Sequence, residues 1–308
     1  MSFLSTLNLI HNTPLIFLDK ISATLPGKIY AKAEHLQPGG SVKDRAAYQI
    51  ILDAYDNGSL KRGQTVVEMT SGNMGAGLAL VCRQFANPFV AVMSEGNSPE
   101  RRKILSAFGA ELVLTKQVDG SPGMVTGSDI ALAVDVAKDI AQNRNAFYAD
   151  QFNNPSCIMA HFNHTGPEIF RDLPDADIFI ASVGSGGTFI GTSKYLKSVK
   201  PNIKCIVVEP EKAAILKTGK VDDPKHIIQG TAYGLIPPHW DEALADDFIT
   251  VSDDEVMDMK KRLSSDQGLY VGYSAAANVI AAQKYLKAQA KPLNVVTVLC
   301  DSGYKYSD

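Results

Sequence analysis

Cysteine is scarce and unpatterned in this chain of 308 residues: Cys82, Cys157, Cys205 and Cys300 form no C-x-x-C pair. Four thiols in a chain of this length do not make a disulfide scaffold, so they read as buried and reduced. No sign of charge dominates either. With 30 basic and 33 acidic side chains the net charge is −3, which argues against a nucleic-acid or anionic-membrane partner. No apolar run approaches the roughly 20 residues of a membrane helix. The opening MSFLSTLNLIHNTPLIFLDK lacks the basic start and continuous apolar stretch of a secretory signal, so the expected compartment is the cytoplasm. Repeats of fixed period, low-complexity segments and charged tails are also missing.

What is present is an alternation of β-branched runs with helical patterns. Strands are expected near residues 64–70, 89–94, 111–114, 177–183, 204–209 and 294–300. The helices between them have legible ends. Ser98 followed by Pro99 opens one that Gly109 closes, and Ser252 with Glu255 is a capping box. Ile130, Val134, Ala137 and Ala141 fall on one face of another. Near-continuous apolar strands alternating with helices predict an α/β fold of two domains, each an open, mostly parallel twisted sheet flanked by helices. The expected boundaries are residues 36–152 for a smaller domain and 153–308 for a larger one, joined by 13–35 and facing across a cleft.

Three stretches place small residues where a strand hands over to a helix. In Pro38-Gly39-Gly40-Ser41-Val42-Lys43-Asp44-Arg45, Lys43 begins a helix. A cation there opposes the helix dipole, so it is either a solvated lysine or one held for covalent chemistry with a carbonyl. Thr70-Ser71-Gly72-Asn73-Met74-Gly75 follows a strand and can aim N–H groups and two hydroxyls at a small anion such as a substrate carboxylate. Gly184-Ser185-Gly186-Gly187-Thr188 makes a phosphate cradle. Glu209, about 20 residues on, sits where a dinucleotide site keeps its ribose-binding acid, but Phe189 breaks G-x-G-x-x-G, and no Walker lysine is present. One lysine, one phosphate cradle and one carboxylate nest are what pyridoxal phosphate and an amino acid jointly require. His161 and His164 lie three apart on an expected helix; with no third ligand placed, they read as exposed side chains and no metal is assigned.

These motifs, in this order, resemble the cysteine synthase (O-acetylserine sulfhydrylase) and cystathionine β-synthase branch of fold-type II pyridoxal-phosphate enzymes. The resemblance runs from Asn12-Thr13-Pro14-Leu15 through Gln151-Phe152 and Thr165-Gly166-Pro167-Glu168 to Asp301-Ser302-Gly303. It implies that Lys43 carries the cofactor as an imine and takes the substrate Cα proton. It places Asn73 on the cofactor's ring oxygen and residues 184–188 on its phosphate. Thr70, Ser71, Gly72, Met74 and Gln151 would hold the substrate carboxylate. Ser274 matches the family's serine facing the pyridine nitrogen, though a serine there can also cap a helix. The implied reaction is β-replacement through an aminoacrylate: cysteine from an O-activated serine and sulfide, or the related chemistry starting from cysteine or serine. A homodimer, and serine acetyltransferase as a partner, are implied by the same resemblance. Two departures bear on the substrate and the nucleophile. Met74 stands where cysteine synthases have threonine, and Tyr233, in Gly230-Thr231-Ala232-Tyr233-Gly234-Leu235, replaces an alanine.

Overall fold

The computed structural model describes residues 5–70, 72–121, 125–232 and 234–306. In chain order its strands are β1 (Leu15–Phe17), β2 (Lys28–Lys32), β3 (Val66–Met69), β4 (Phe89–Ser94), β5 (Glu111–Thr115), β6 (Phe147–Tyr148), β7 (Ile178–Ser182), β8 (Lys204–Pro210), β9 (Asp247–Val251) and β10 (Asn294–Val298). The longer helices are α1 (Lys43–Asp56), α2 (Asn73–Phe85), α3 (Pro99–Ala107), α4 (Gly127–Asn143), α5 (Gly187–Val199), α6 (Asp253–Gln267) and α7 (Tyr273–Lys287). The chain divides into two compact units. One comprises the stretch up to Ile10 and Lys43–Cys157; the other comprises His11–Val42 and Ile158–Tyr306.

The first unit is built on a four-stranded sheet in the order β5-β4-β3-β6, all parallel. Every residue of β4, Phe-Val-Ala-Val-Met-Ser, is buried, as a strand covered on both faces requires. Helix α4 packs on this sheet through Ala133 and Ala137, with Val136, Ile140 and Ala141 beside them. Its core face is thus rotated from the expected one, and Ile130 and Val134 are only half-buried. The small alanines let the helix lie close to Val67, Val90 and Val92.

The second unit carries six strands in the order β1-β2-β10-β7-β8-β9, parallel except for the β1–β2 pair. Its core lies on both faces of the sheet, with the alanine-rich α7 on one side and Phe179, Phe189 and Cys205 on the other. Helix α6 has the expected capping box: the Glu255 N–H donates to Ser252 Oγ and the Ser252 N–H to Glu255 Oε2. Gly109, in the left-handed region, follows α3 as anticipated.

Both sheets have a switch point, where the strand order reverses and loops on either side diverge. In the first unit it lies between β3 and β6; in the second, between β7 and β10. In open α/β sheets the carboxyl ends of strands at such points form the binding crevice.

Candidate active site

The switch point of the first unit is lined by residues the sequence singles out. Thr70 follows β3 and is buried; its Oγ1 accepts the N–H of Gly75, so its side chain is folded over the first turn of α2. Gly72 is the N-cap of that helix, and Asn73 and Met74 are its first two residues. N–H groups of a first helical turn have no partner within the helix, and the dipole adds positive potential there. Met74 itself is 3% exposed, so its side chain is core and only its backbone is available to an anion. Lys43 is the first residue of α1 and half-buried, not the solvated lysine of the bland alternative. A Cβ on Gly77 would sit 3.2 Å from the Asp44 Cα and 3.1 Å from the Ala47 Cβ. The glycine therefore lets α2 approach the first turn of α1 and fixes where Lys43 starts.

Gln151 lies just past β6, on the other side of the switch point, and is buried. Its Nε2 is 3.3 Å from Glu68 Oε1 and 3.5 Å from the Met69 carbonyl oxygen. Its amide N–H groups are thus turned toward β3. Glu68 is 1% exposed, and burial pushes its carboxyl up to about 8 despite the Gln151 amide. Cys157 is buried beside this group. Burial lifts its thiol to about 12, with Lys43 pulling the other way. The sequence marks Cys157 only as a buried thiol and does not single out Glu68. An acid inside an otherwise apolar strand, Val66-Val67-Glu68-Met69, is the signal that marks Glu68.

In the second unit the cradle 184–188 leaves the carboxyl end of β7. Gly186, at φ +98°, is the N-cap of α5, and Ile190 N–H is the one that bonds back to its carbonyl. The N–H groups of Gly187, Thr188 and Phe189 thus precede the first intrahelical acceptor. A Cβ on Gly184 would lie 2.3 Å from the Gly230 carbonyl oxygen, so no larger residue fits. Ser185 is buried and no cation occurs in the stretch, so only backbone N–H groups and hydroxyls are offered to an anion here. Helix α7 is pinned over the same strand ends by Asn278, a residue the sequence reading missed. Its Oδ1 accepts from Ser182 N–H and its Nδ2 donates to the Val298 carbonyl. Ser274 is one turn earlier on that face and buried. The N-cap of α7 is Gly272, which removes the alternative that Ser274 caps the helix; it lies within the first turn instead.

One further expectation is corrected. His161 is not exposed: it is 1% accessible on a π-helical turn, His161–Thr165, with Nδ1 2.9 Å from Thr165 Oγ1 and Nε2 3.2 Å from Thr188 Oγ1. It therefore backs the last residue of the cradle. Glu209, set aside in the sequence together with the dinucleotide pattern, is engaged elsewhere: its two oxygens accept the N–H groups of Leu216 and Lys217 and cap the first turn of a short helix, Ile215–Thr218. Ser71 and Tyr233 lie outside the described residues. Among the described residues no three His, Cys, Asp or Glu side chains are grouped to hold a metal ion, and no helix is long and apolar enough to cross a membrane.

Comparison with known proteins places this geometry. Residues 6–301 match the profile of a family described as "Pyridoxal-phosphate dependent enzyme". The chain is 37% identical over 300 residues to a cysteine synthase of Staphylococcus aureus, covering 97% of this chain and 93% of the relative. It superposes on a hydrogen sulfide-producing enzyme from Fusobacterium nucleatum with a TM-score of 0.91 and 36% identity, covering 100% and 99% of the two chains. An O-acetylserine-dependent cystathionine β-synthase from Helicobacter pylori gives a TM-score of 0.89 and 34% identity, covering 99% and 97%.

Proposed function

This chain belongs to the family of pyridoxal-phosphate-dependent enzymes, it catalyses β-replacement, and from that premise we propose that it makes cysteine from O-acetylserine and sulfide, with release of acetate. The observation that carries the reading is Lys43: half-buried, at the first position of α1, where the helix dipole disfavours a positive charge by about 0.3–1 kcal/mol. That is a poor place for a structural lysine and a suitable one for an amine that must act as nucleophile and base.

When bound, pyridoxal phosphate supplies a carbonyl that condenses with amines and a ring that withdraws electrons from the substrate Cα. The cradle at 184–188 would hold its phosphate, Asn73 its ring oxygen, Ser274 its pyridine nitrogen and Lys43 Nζ its carbonyl carbon. The backbone cradle and the clash met by any Cβ on Gly184 support the first of these. Ser274 offers a neutral hydroxyl, which does not protonate the ring and so favours prompt loss of a β-substituent. Thr70, Ser71, Gly72, Met74 and Gln151 would take the substrate carboxylate, Met74 through its backbone alone. Once displaced by the substrate amine, Lys43 Nζ would accept the Cα proton as the β-substituent leaves. Lys43 Nζ would return that proton to Cα as the nucleophile bonds to Cβ, the step to which Tyr233 is assigned. The proposed domain division, 36–152 and 153–308, assigns the lysine and carboxylate pocket to the smaller domain and the phosphate cradle to the larger. The reading extends to a cytoplasmic homodimer with serine acetyltransferase as the partner to test, both on family resemblance alone.

A second reading, release of sulfide from cysteine, is favoured by the full-length match to the Fusobacterium enzyme. One experiment separates the two. The purified protein is given O-acetyl-L-serine with sulfide, and L-cysteine alone, and cysteine and sulfide are quantified. Cysteine formation in the first mixture, abolished in Lys43→Ala, is expected. Sulfide from the second mixture with no product in the first would replace the proposal. Borohydride reduction and peptide mapping test the lysine separately, and label on any other lysine overturns the assignment.

A further inference from the structure

Glu68 is a buried acid with no part in the mechanism above. It sits on β3 two residues before Thr70, at the strand end that starts the carboxylate loop. Its Oε1 meets Gln151 Nε2 at 3.3 Å, while its Oε2 is buried with no hydrogen-bond partner. A carboxylate left with one oxygen unsatisfied is the costly form of this side chain, and a proton shared with a neighbour is the cheaper one. The neighbour is an amide, and an amide has two ends. Turned one way, Gln151 gives its N–H groups to Glu68 and Met69 and has only its carbonyl oxygen left. Rotated by half a turn about its last bond, it would accept a proton from a neutral Glu68 and have both N–H groups left.

We propose that Glu68 is a positioning residue whose proton decides which end of the Gln151 amide meets the substrate carboxylate. Neutral Glu68 donates its O–H to Gln151 Oε1 and frees the Gln151 N–H groups for the substrate. Ionised Glu68 claims Nε2 and presents the amide oxygen to the substrate, where it repels a carboxylate. The inference rests on the reading that Gln151 binds that carboxylate.

The surroundings support a switch within the working range. Burial pushes the Glu68 carboxyl up to about 8; Asp150 adds to the rise, while the Gln151 amide and the backbone N–H groups of Gln151 and Asp150 offset part of it. The other titratable groups acting with it are Tyr148 on β6, which burial holds neutral, and Cys157, held neutral at about 12 and itself under the influence of Lys43. The flanking strand β4 has no titratable residue, and α4 faces β3 with alanines. A raised carboxyl is neutral below its folded value and charged above it, so binding strength falls as the pH rises through about 8.

The test is the apparent affinity for O-acetyl-L-serine, read by stopped-flow from the cofactor's absorbance, mixing an acidic substrate stock into holoenzyme buffered at pH 7 and at pH 9. Going from one unit below to one unit above the Glu68 midpoint leaves about a tenth of the competent form, so native affinity falls about tenfold beyond the baseline set by the substrate's own amine. Glu68→Gln, always neutral and always able to donate, shows the baseline alone. Equal pH dependence in the native and Glu68→Gln enzymes overturns the proposal. Gln151→Ala separates the layers. Weak binding at both pH values upholds the carboxylate role of Gln151, and native-like binding overturns that role and this inference together. Infrared difference titration of the protein without cofactor gives a readout independent of turnover. A protonated carboxyl that persists at pH 7 and is lost with a midpoint near 8 supports the switch. Its absence at pH 7 overturns it, even should Glu68→Gln fail to fold.

Discussion

Replacing Lys32 by methionine removes one half of a buried ion pair and gives a defined stability loss. Lys32 ends β2 and is fully buried. Its Nζ lies 2.7 Å from Glu168 Oε2 and 3.7 Å from an Asp172 carboxylate oxygen, and donates to the Thr13 carbonyl at 2.6 Å. Glu168 is itself only 5% exposed, and its other oxygen accepts the Asn12 N–H at 3.0 Å. In Lys32→Met the apolar stem is matched, but the Glu168 carboxylate loses its 2.7 Å contact with Nζ in a place water barely reaches. Breaking a buried pair from one side costs about 3–5 kcal/mol, because the remaining ion loses a close opposite charge that water does not replace. A domain of this size loses about 2–4 °C per kcal/mol, so the expected fall in melting temperature is roughly 6–20 °C. Calorimetry or circular dichroism at fixed cofactor loading reads it. The control is Lys32→Met with Glu168→Gln, which removes the stranded charge yet keeps an oxygen for Asn12. It should recover more than half of the loss. A single variant that costs under about 1 kcal/mol, or a double variant no better than the single, would refute the account.

Gly184→Ala forces a methyl group to within 2.3 Å of the Gly230 carbonyl oxygen, strain of about 1–3 kcal/mol, and should release cofactor more readily on gel filtration; unchanged retention would remove the cradle from the phosphate role. Of the four thiols, only Cys300 should react with a thiol reagent in the folded protein at pH 8. Cys82, Cys157 and Cys205 are buried, and burial holds the thiols of the last two at about 12 and 11; a second fast-reacting thiol would contradict this.

Much of the architecture was legible because its signals are local. The apolar runs of β4, β7 and β10 have no competing periodicity, and the Ser252–Glu255 box needs only four residues to be recognised. Short strands escaped. The two residues of β6 carry no pattern, and β2 begins and ends in lysine, which reads as solvent-facing until Glu168 is found beside Lys32. The same distance in sequence hid the meaning of two motifs. Asn12-Thr13-Pro14 and Thr165-Gly166-Pro167-Glu168 meet in space, so part of their chemistry is to brace the second unit. Among the candidate residues, Lys43 and Thr70 in the first unit and the glycine stretch 184–188 in the second stand out by type and by their position between strand and helix. Glu68, Asn278 and His161 do not, because each acts through a neighbour that only folding supplies.

The pairing of β2 with β10 has a consequence for synthesis. Lys28 pairs in register with Asn294, and Lys32 with Val298. By contrast, the four strands of the first unit come from one uninterrupted stretch, Lys43–Cys157. On the ribosome, that sheet can assemble as soon as its last strand emerges. Strand β2, although made earlier, must wait for a partner about 270 residues downstream, which at about 5–20 residues per second is on the order of 15–50 s. During that interval it exposes one strand edge, and the Lys32 ammonium meets Glu168 only after about half the chain has appeared. The nascent protein thus passes through a state in which its first half is folded around a finished sheet while an earlier strand remains unclaimed, the stage at which a chaperone that binds extended segments has most to hold.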